Sequence, residues 1–324
     1  MSLSYTLAYT LGVTLAAVAI DAVVGDPAFI WRRLPHPVVL IGRSIGALDR
    51  ALNSGAARRA KGIAAIAVVV ALAGGIGGAI AAVLASYSWG WLIEAIFMSV
   101  LIAQRSLLQH FRAIEGPLAR GDIEGARAAL AQIVGRDVCV LDEAGVARAG
   151  IESLAENASD GVVAPVFWVA LFGLPGILIY KAVNTADSMI GHRDARYEDF
   201  GWASARLDDL LNLIPARLTG VLICIAAYFT PDASARGAFA AMRRDARKHA
   251  SPNAGFPEAA AAGALGLRLG GPRVYDGARD DAPWMGDGRA HATSRDMATA
   301  AKLSVTAFGL MALALLTIWV SLPP

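Results

Sequence analysis

Gly62–Ala85 reads GIAAIAVVVALAGGIGGAIAAVLA, a run with no charged side chain. A helix needs roughly 20 apolar residues to cross the hydrocarbon core of a bilayer, and this run meets that length. Two other stretches behave the same way. Leu303–Leu322 is uncharged, and Leu3–Ile20 is apolar up to Asp21. Tyr87 and Trp89 follow the first run and Trp319 sits near the end of the last, where aromatic residues mark a membrane–water interface.

Composition agrees with a membrane protein. The 324 residues are 56% hydrophobic and only 17% charged, with a mean hydropathy of +0.50. That is too little polar surface to coat a soluble globule of this length. The formal net charge is +2 and no basic run with interleaved aromatics occurs, so nothing points to nucleic acid. Cys139 and Cys224 lie far apart, with no paired Cys/His spacing, so neither a disulfide framework nor a zinc site is indicated. Met1–Leu7 carries no basic residue, which favours a retained helix over a cleaved signal peptide.

Three further segments are apolar but interrupted. Trp89–Ala103 is short and contains Glu94. Gly161–Tyr180 contains Pro165 and a Gly173-Leu174-Pro175-Gly176 break. Leu213–Thr230 carries Pro215 and Arg217 near its start. Proline frees backbone groups that need partners inside the protein or water in a cavity, so the broken segments read as discontinuous or re-entrant helices. The expected fold is therefore an all-α polytopic membrane bundle of about 4–6 membrane segments. It forms one integral membrane domain over 1–324, with cytoplasmic helical inserts at 104–160 and 231–302. Lys and Arg crowd Gly25–Lys61 and Pro231–Lys302, which places both connections in the cytoplasm. If all six segments cross, Lys181–Asn212 lies outside; re-entrant segments would return it to the cytoplasmic side.

Five constellations carry chemistry. In Ile151–Gly161, Glu152 and Glu156 are spaced i,i+4 and Asp160 follows a turn later, beside Asn157. The plain reading is a hydrated acidic helix end; the functional one is a Mg²⁺ locus, since that ion prefers carboxylate oxygens. In Tyr180–Arg193, a helix puts Lys181, Asn184, Asp187, Ser188 and Gly191 on one face. Polar groups emerging from a membrane segment are costly unless they pair or bind something. Lysine can hold phosphate, and aspartate can hold Mg²⁺ or orient a nucleophile. Asp208-Asp209, with Asn212 a turn beyond Asp208, adds oxygen ligands, although Arg206 could simply pair with Asp209. The fourth constellation is the basic run Arg243–Lys248, which is first of all a topology signal, followed by Ser251-Pro-Asn253-Ala-Gly-Phe-Pro257-Glu258, which is too elaborate for that alone. There Pro257 sits where a helix N1 residue would be. The fifth joins Asp21-Ala-Val-Val-Gly-Asp26-Pro27 to Leu34-Pro-His36-Pro-Val, in which two prolines present His36 rigidly ahead of Arg43. No Walker A loop, Gly-rich dinucleotide loop, HExxH or GxSxG occurs, so any use of ATP bypasses a P-loop.

Taken in order, these motifs resemble the CobD/CbiB family of cobalamin biosynthesis. The stretches that carry the resemblance are Asp21–Pro27, Leu34–Val38, Glu152–Gly161, Tyr180–Met189, Phe200–Asp209 and Ser251–Glu258, and the resemblance runs along nearly the whole chain. The resemblance implies an adenosylcobinamide-phosphate synthase, a carbon–nitrogen ligase in the inner (cytoplasmic) membrane. Such an enzyme joins (R)-1-amino-2-propanol or its O-phosphate to a propionate of adenosylcobyric acid, consuming ATP with Mg²⁺. On that reading Glu152, Glu156, Asp160, Asp187, Asp208 and Asp209 supply metal ligands, and Lys181 and Arg206 hold phosphate. His36 or His192 is the general base. Arg43, Asn157, Asn184, Ser188, Asn253 and Glu258 bind or orient substrate. The bilayer is a partner, and the resemblance also admits contact with other late cobalamin-assembly membrane enzymes.

Two other readings compete. Asn184-x-x-Asp187 and Asp208-Asp209 faintly resemble the paired aspartates of UbiA-like prenyltransferases, a family with more spans than this chain offers. A transporter would also have broken helices and buried charges, but no inverted repeat is visible.

Overall fold

The computed structural model describes residues 3–322 apart from 136, 276, 277 and 281. Its helices are α1 (Leu3–Val23), α2 (Ala28–Trp31), α3 (Pro37–Leu52), α4 (Arg58–Leu84), α5 (Gly90–Ser99), α6 (Gln104–Ala119), α7 (Ile123–Leu130), α8 (Glu143–Ala158), α9 (Ala164–Ile190), α10 (Trp202–Phe229), α11 (Ala235–Asp245), α12 (Gly255–Leu265) and α13 (Ser294–Ser321). A π-helical turn, Ser159–Val163, joins α8 to α9. Four strands of two or three residues, β1 (Leu269–Gly270), β2 (Arg273–Tyr275), β3 (Ala278–Asp280) and β4 (Trp284–Met285), pair as β1–β4 and β2–β3. The fold is thus a helical bundle, and these two small ribbons are its departure from a purely α protein. Among the described residues, six helical stretches are long and apolar enough to cross a membrane: Thr6–Val23, Arg58–Leu84, Gly90–Ala119, Glu143–Ile190, Trp202–Phe229 and Ser294–Ser321.

Local chemistry starts many of these helices where they begin. The Asp122, Asp142 and Ser234 side chains accept the N–H of Gly125, Gly145 and Gly237, so each occupies the N-cap ahead of α7, α8 and α11. At α3, Pro37 fills the first turn and the His36 ring accepts the Val38 N–H.

The chain divides into two compact units. One comprises residues 1–105, 164–212 and 315–324; the other comprises 106–163 and 213–314. In the first unit, α4 packs through glycines against α9 and against the segment that precedes α10. A Cβ on Gly62 would lie 1.9 Å from the Phe200 carbonyl oxygen, and one on Gly77 would lie 2.8 Å from Pro175 Cα. Small residues of this kind let membrane helices approach backbone to backbone. Ile45, Ala65, Ile66, Val69, Val183, Ala186 and Phe200 fill the core around that contact.

The expected interruption of α9 is present and sharp. Gly173 adopts φ 61°, ψ −151°, a conformation open to glycine. Beyond it, a Cβ on Gly176 would meet the Trp168 carbonyl oxygen at 2.3 Å. A straight helix would carry those two residues about 12 Å apart, so the chain doubles back into a helical hairpin. The segment after the hairpin ends beside the start of α4. There Arg58 donates to Ala195 O at 2.8 Å, Asn53 to Arg196 O at 3.2 Å, and Arg196 pairs with Asp49 at 2.7 Å. Residues 191–201 therefore sit on the same side of the first unit as the basic α3–α4 turn.

In the second unit, Phe111, Ile114, Val146, Ile151, Leu154, Ala261 and Met297 form the core, and α11 meets α12 at Gly237 and Gly263. Asp245 is 1% exposed yet pairs with Arg244 and Lys248, both at 2.7 Å, and accepts the Gly286 N–H. Burial alone would raise its carboxyl. The two cations and the amide outweigh that and hold it well below the usual carboxylate range. A depressed folded-state value stabilises above the ordinary Asp pKa of about 3.9 and is lost as pH falls below it. Asp245→Asn should therefore lower the thermal midpoint at pH 7. Breaking such a buried pair costs about 3 kcal/mol or more, and the gap to the parent should narrow below about pH 4. A pH-independent gap in detergent-solubilised melts would count against this role.

Candidate functional site

In the first unit, the two aspartate motifs converge. The polar face read from sequence holds along α9: Ala182, Val183, Ala186 and Ile190 are buried while Lys181, Asn184, Asp187 and Ser188 are not. Asn184 Nδ2 donates to Asp208 Oδ1 at 3.2 Å, linking α9 to α10. Asn212 Nδ2 donates to Asp208 Oδ2 at 3.0 Å, and the buried Tyr180 hydroxyl donates to Asn212 Oδ1 at 3.0 Å. Both oxygens of Asp208 are thus engaged, which fixes its orientation in an interior where an unmet polar group would be costly. Asp209 adjoins Asp208 in the chain, and Asp187 follows Asn184, which holds Asp208, by three residues along α9. Asp187 Oδ1 lies against Gly191, where a Cβ would sit 2.0 Å away.

Cations border this face. Arg206 approaches Asp209 at 3.9 Å and is otherwise exposed. A cavity of about 510 Å³ is lined by Gly42, Arg43, Gly46, Arg50, Thr185 and Met189, which brings Arg43 alongside the polar stretch of α9. Ser188 donates to Asn184 O, the ordinary bond of a helical serine. His192 stacks loosely on Tyr197, with centroids 6.2 Å apart. His36 is already committed: its Nδ1 accepts the Val38 N–H, so the neutral ring carries its proton on Nε2, which faces Asp26 Oδ1 at 3.6 Å.

The remaining expected residues belong to the second unit. Glu152 is buried and its Oε1 accepts the Gly270 N–H at 2.8 Å, whereas Glu156 is exposed. Asn157 donates to Ser153 O. Asp160 falls within the π-helical turn rather than on a continued α-helix, so the stacking of three carboxylates at α spacing stops at Glu156. Turns of this kind are frequent at functional sites. Arg217 packs 4.2 Å over the Phe256 ring and approaches Asn253 Oδ1 at 3.4 Å. His249 accepts the Ser251 N–H on Nδ1 and turns Nε2 toward Glu258 Oε1 at 3.6 Å. Helix α12 begins at Gly255, so Pro257 lies in its first turn two residues later than the N1 position expected for it. Arg217, His249 and Tyr180 are not among the residues expected from the sequence, whereas Asn212 is, as an oxygen ligand one turn beyond Asp208.

Among the described residues, no three His, Cys, Asp or Glu side chains converge closely enough to hold a metal ion. A Mg²⁺ held entirely by protein carboxylates does not fit. Mg²⁺ brought by a nucleotide does, because it keeps several waters and takes one or two carboxylates plus phosphate oxygens. Asp187, with Asp209 nearby, suits that demand better than Asp208, whose oxygens already accept two amides.

Six apolar helical stretches and a polar, carboxylate-bearing site at the end of α9 define a multi-pass membrane protein. A sequence model described as CobD/Cbib protein matches residues 14–304. The cobalamin biosynthesis protein CobD of Sinorhizobium sp. is 51% identical over 288 residues, 87% of this chain and 89% of that protein. Those of Rhizobium meliloti (strain 1021) and Rhodobacter capsulatus are 47% and 51% identical, over 93% and 84% of this chain and 94% and 85% of theirs. The chain belongs to the CobD/CbiB family, which serves cobalamin biosynthesis. No solved structure matches it.

Proposed function

We propose that this protein is an ATP-dependent ligase of the cytoplasmic membrane that joins (R)-1-amino-2-propanol, or its O-phosphate, to a propionate of adenosylcobyric acid. The observation that carries the reading is the Asn184–Asp208–Asn212–Tyr180 network, which fixes Asp208 beside Asp187 and Asp209 on a face bordered by Arg43 and Arg206. A carboxylate forms an amide only after activation. A propionate oxygen attacks the γ-phosphorus and ADP leaves; the ammonium gives up one proton, the freed amine nitrogen attacks the acyl carbon, and a second proton leaves that nitrogen as phosphate departs, so one proton is released and the other stays on the phosphate. The first step gathers negative charge on phosphoryl oxygens, and preorganised cations are what stabilise it. Lys181, Arg206 and Arg43 supply those cations, and Asp187 and Asp209 hold the nucleotide's Mg²⁺. When bound, that ion neutralises phosphate charge.

The reading is tested by incubating purified protein with adenosylcobyric acid, Mg-ATP and each amine, followed by mass analysis of the corrinoid. A mass gain equal to the amine minus water, dependent on ATP, is the expected result. A corrinoid left unchanged with every amine would overturn it.

A further inference from the structure

Where α6 and α13 pack in the second unit, they border a cavity of about 400 Å³ that is separate from the network around Asp208. Arg112 and Glu115 of α6 and Lys302 of α13 line it, together with Ala298, Ala301 and Val305. The floor beneath is firm, because Phe111, Ile114, Met297, Ala300 and Ala301 of the same two helices share one buried core. Arg112 and Lys302 are exposed and Glu115 is half-buried. Among the described residues, none of these three side chains makes a hydrogen bond or an ion pair. Thr306 does not compete for them, since its hydroxyl donates to the Lys302 carbonyl within the helix.

The position along α13 identifies the medium. Lys302 is the last charged residue before the uncharged run Leu303–Leu322, so the cavity straddles the level where that helix passes from headgroups into hydrocarbon. Lys302, Val305, Gly309 and Leu313 share one exposed face of α13. That face starts with a cation and is apolar thereafter. A Cβ at Gly309 would meet no atom within 4 Å, so the track below the cavity is open.

Two cations facing one cavity between membrane helices suit a phosphate. Glu115 narrows the choice, because a carboxylate repels a phosphate unless the ligand also brings a positive group. The complementary headgroup is a phosphate with a primary ammonium a short way off. A free amino-alcohol phosphate shares that chemistry but has no tail for the apolar face of α13, whereas a phospholipid has one. We infer that Arg112, Glu115 and Lys302 form a headgroup site for phosphatidylethanolamine, with its phosphate on Arg112 and Lys302 and its ammonium on Glu115. The site stands independently of the ligase reading, and a lipid held there would tie α6 to α13 at the bilayer surface.

The test titrates delipidated full-length protein in detergent with phosphatidylethanolamine, phosphatidylglycerol or phosphatidylcholine and counts bound lipid by native mass spectrometry. Loss of a hydrogen bond between charged groups predicts a Kd for phosphatidylethanolamine raised roughly tenfold to a hundredfold in Arg112→Gln and in Lys302→Gln. Glu115→Gln should abolish the preference for phosphatidylethanolamine over phosphatidylglycerol. Phosphatidylcholine, whose ammonium carries no N–H, should bind the parent more weakly than phosphatidylethanolamine. Melts of the delipidated variants should match the parent, since the three side chains have no partners to lose. Unchanged phosphatidylethanolamine binding in both cation variants would overturn the site. Phosphatidylglycerol bound by the parent as tightly as phosphatidylethanolamine would overturn the choice of lipid. Displacement of bound lipid by equimolar 1-amino-2-propanol O-phosphate would overturn it in favour of a soluble phosphate ester.

Discussion

Asp187→Ala is expected to cut corrinoid amide formation by roughly 10²–10³-fold, the scale of losing one preorganised group at a site of developing charge, while the protein still inserts and folds. The asymmetry follows from the two faces of α9. Ala182, Val183, Ala186 and Ile190 make the core contacts, and Asp187 is on the opposite, partly open face. Among the described residues, removing it takes away no hydrogen-bond partner on another helix, unlike removal of Asp208, which would strand the amides of Asn184 and Asn212. The measurement is product formation by mass analysis alongside a thermal melt of the same preparation. Near-normal turnover would strike Asp187 from the site, and a collapsed melt would show that its role is structural.

Gly62→Val should strongly lower stability. Its side chain has nowhere to go, because a Cβ at 62 would lie 1.9 Å from a backbone oxygen, which cannot rotate aside. Overpacking of a close contact costs about 1–3 kcal/mol and sometimes more, and here α4 must separate from the Phe200 segment that leads into α10. The informative control lies on the same helix. A methyl group added at Gly75 or Gly78 would meet no atom within 4 Å, so Gly78→Ala should be neutral or raise stability by up to about 1 kcal/mol through helix propensity. Equal melting of the two variants in one detergent would show that α4 and residue 200 do not meet as described.

Hydropathy made most of the fold legible. Long uncharged runs such as Gly62–Ala85 have only one good environment, so the spans could be placed from composition alone, and Gly173–Pro175 announced the break in α9. The polar face from Lys181 to Ser188 was legible because helical periodicity is local. Pairings across helices were not. Tyr180 meets Asn212 32 residues away, and His249 meets Glu258 only because a loop folds back on α12. Nothing in either segment names its partner, since helix packing decides it. Asp160 shows the opposite limit: its spacing looked helical, and a single widened turn undid the register.

The reversal at Gly173 bears on how this chain is threaded through lipid. A segment that dips in and comes back contributes nothing to the tally of crossings, whatever its hydropathy. Probes attached near residue 55 and near residue 195 should accordingly report the same compartment. If impermeant labelling reagents reach both from one side only, nucleotide and corrinoid can meet the Asp187 face without either traversing the bilayer.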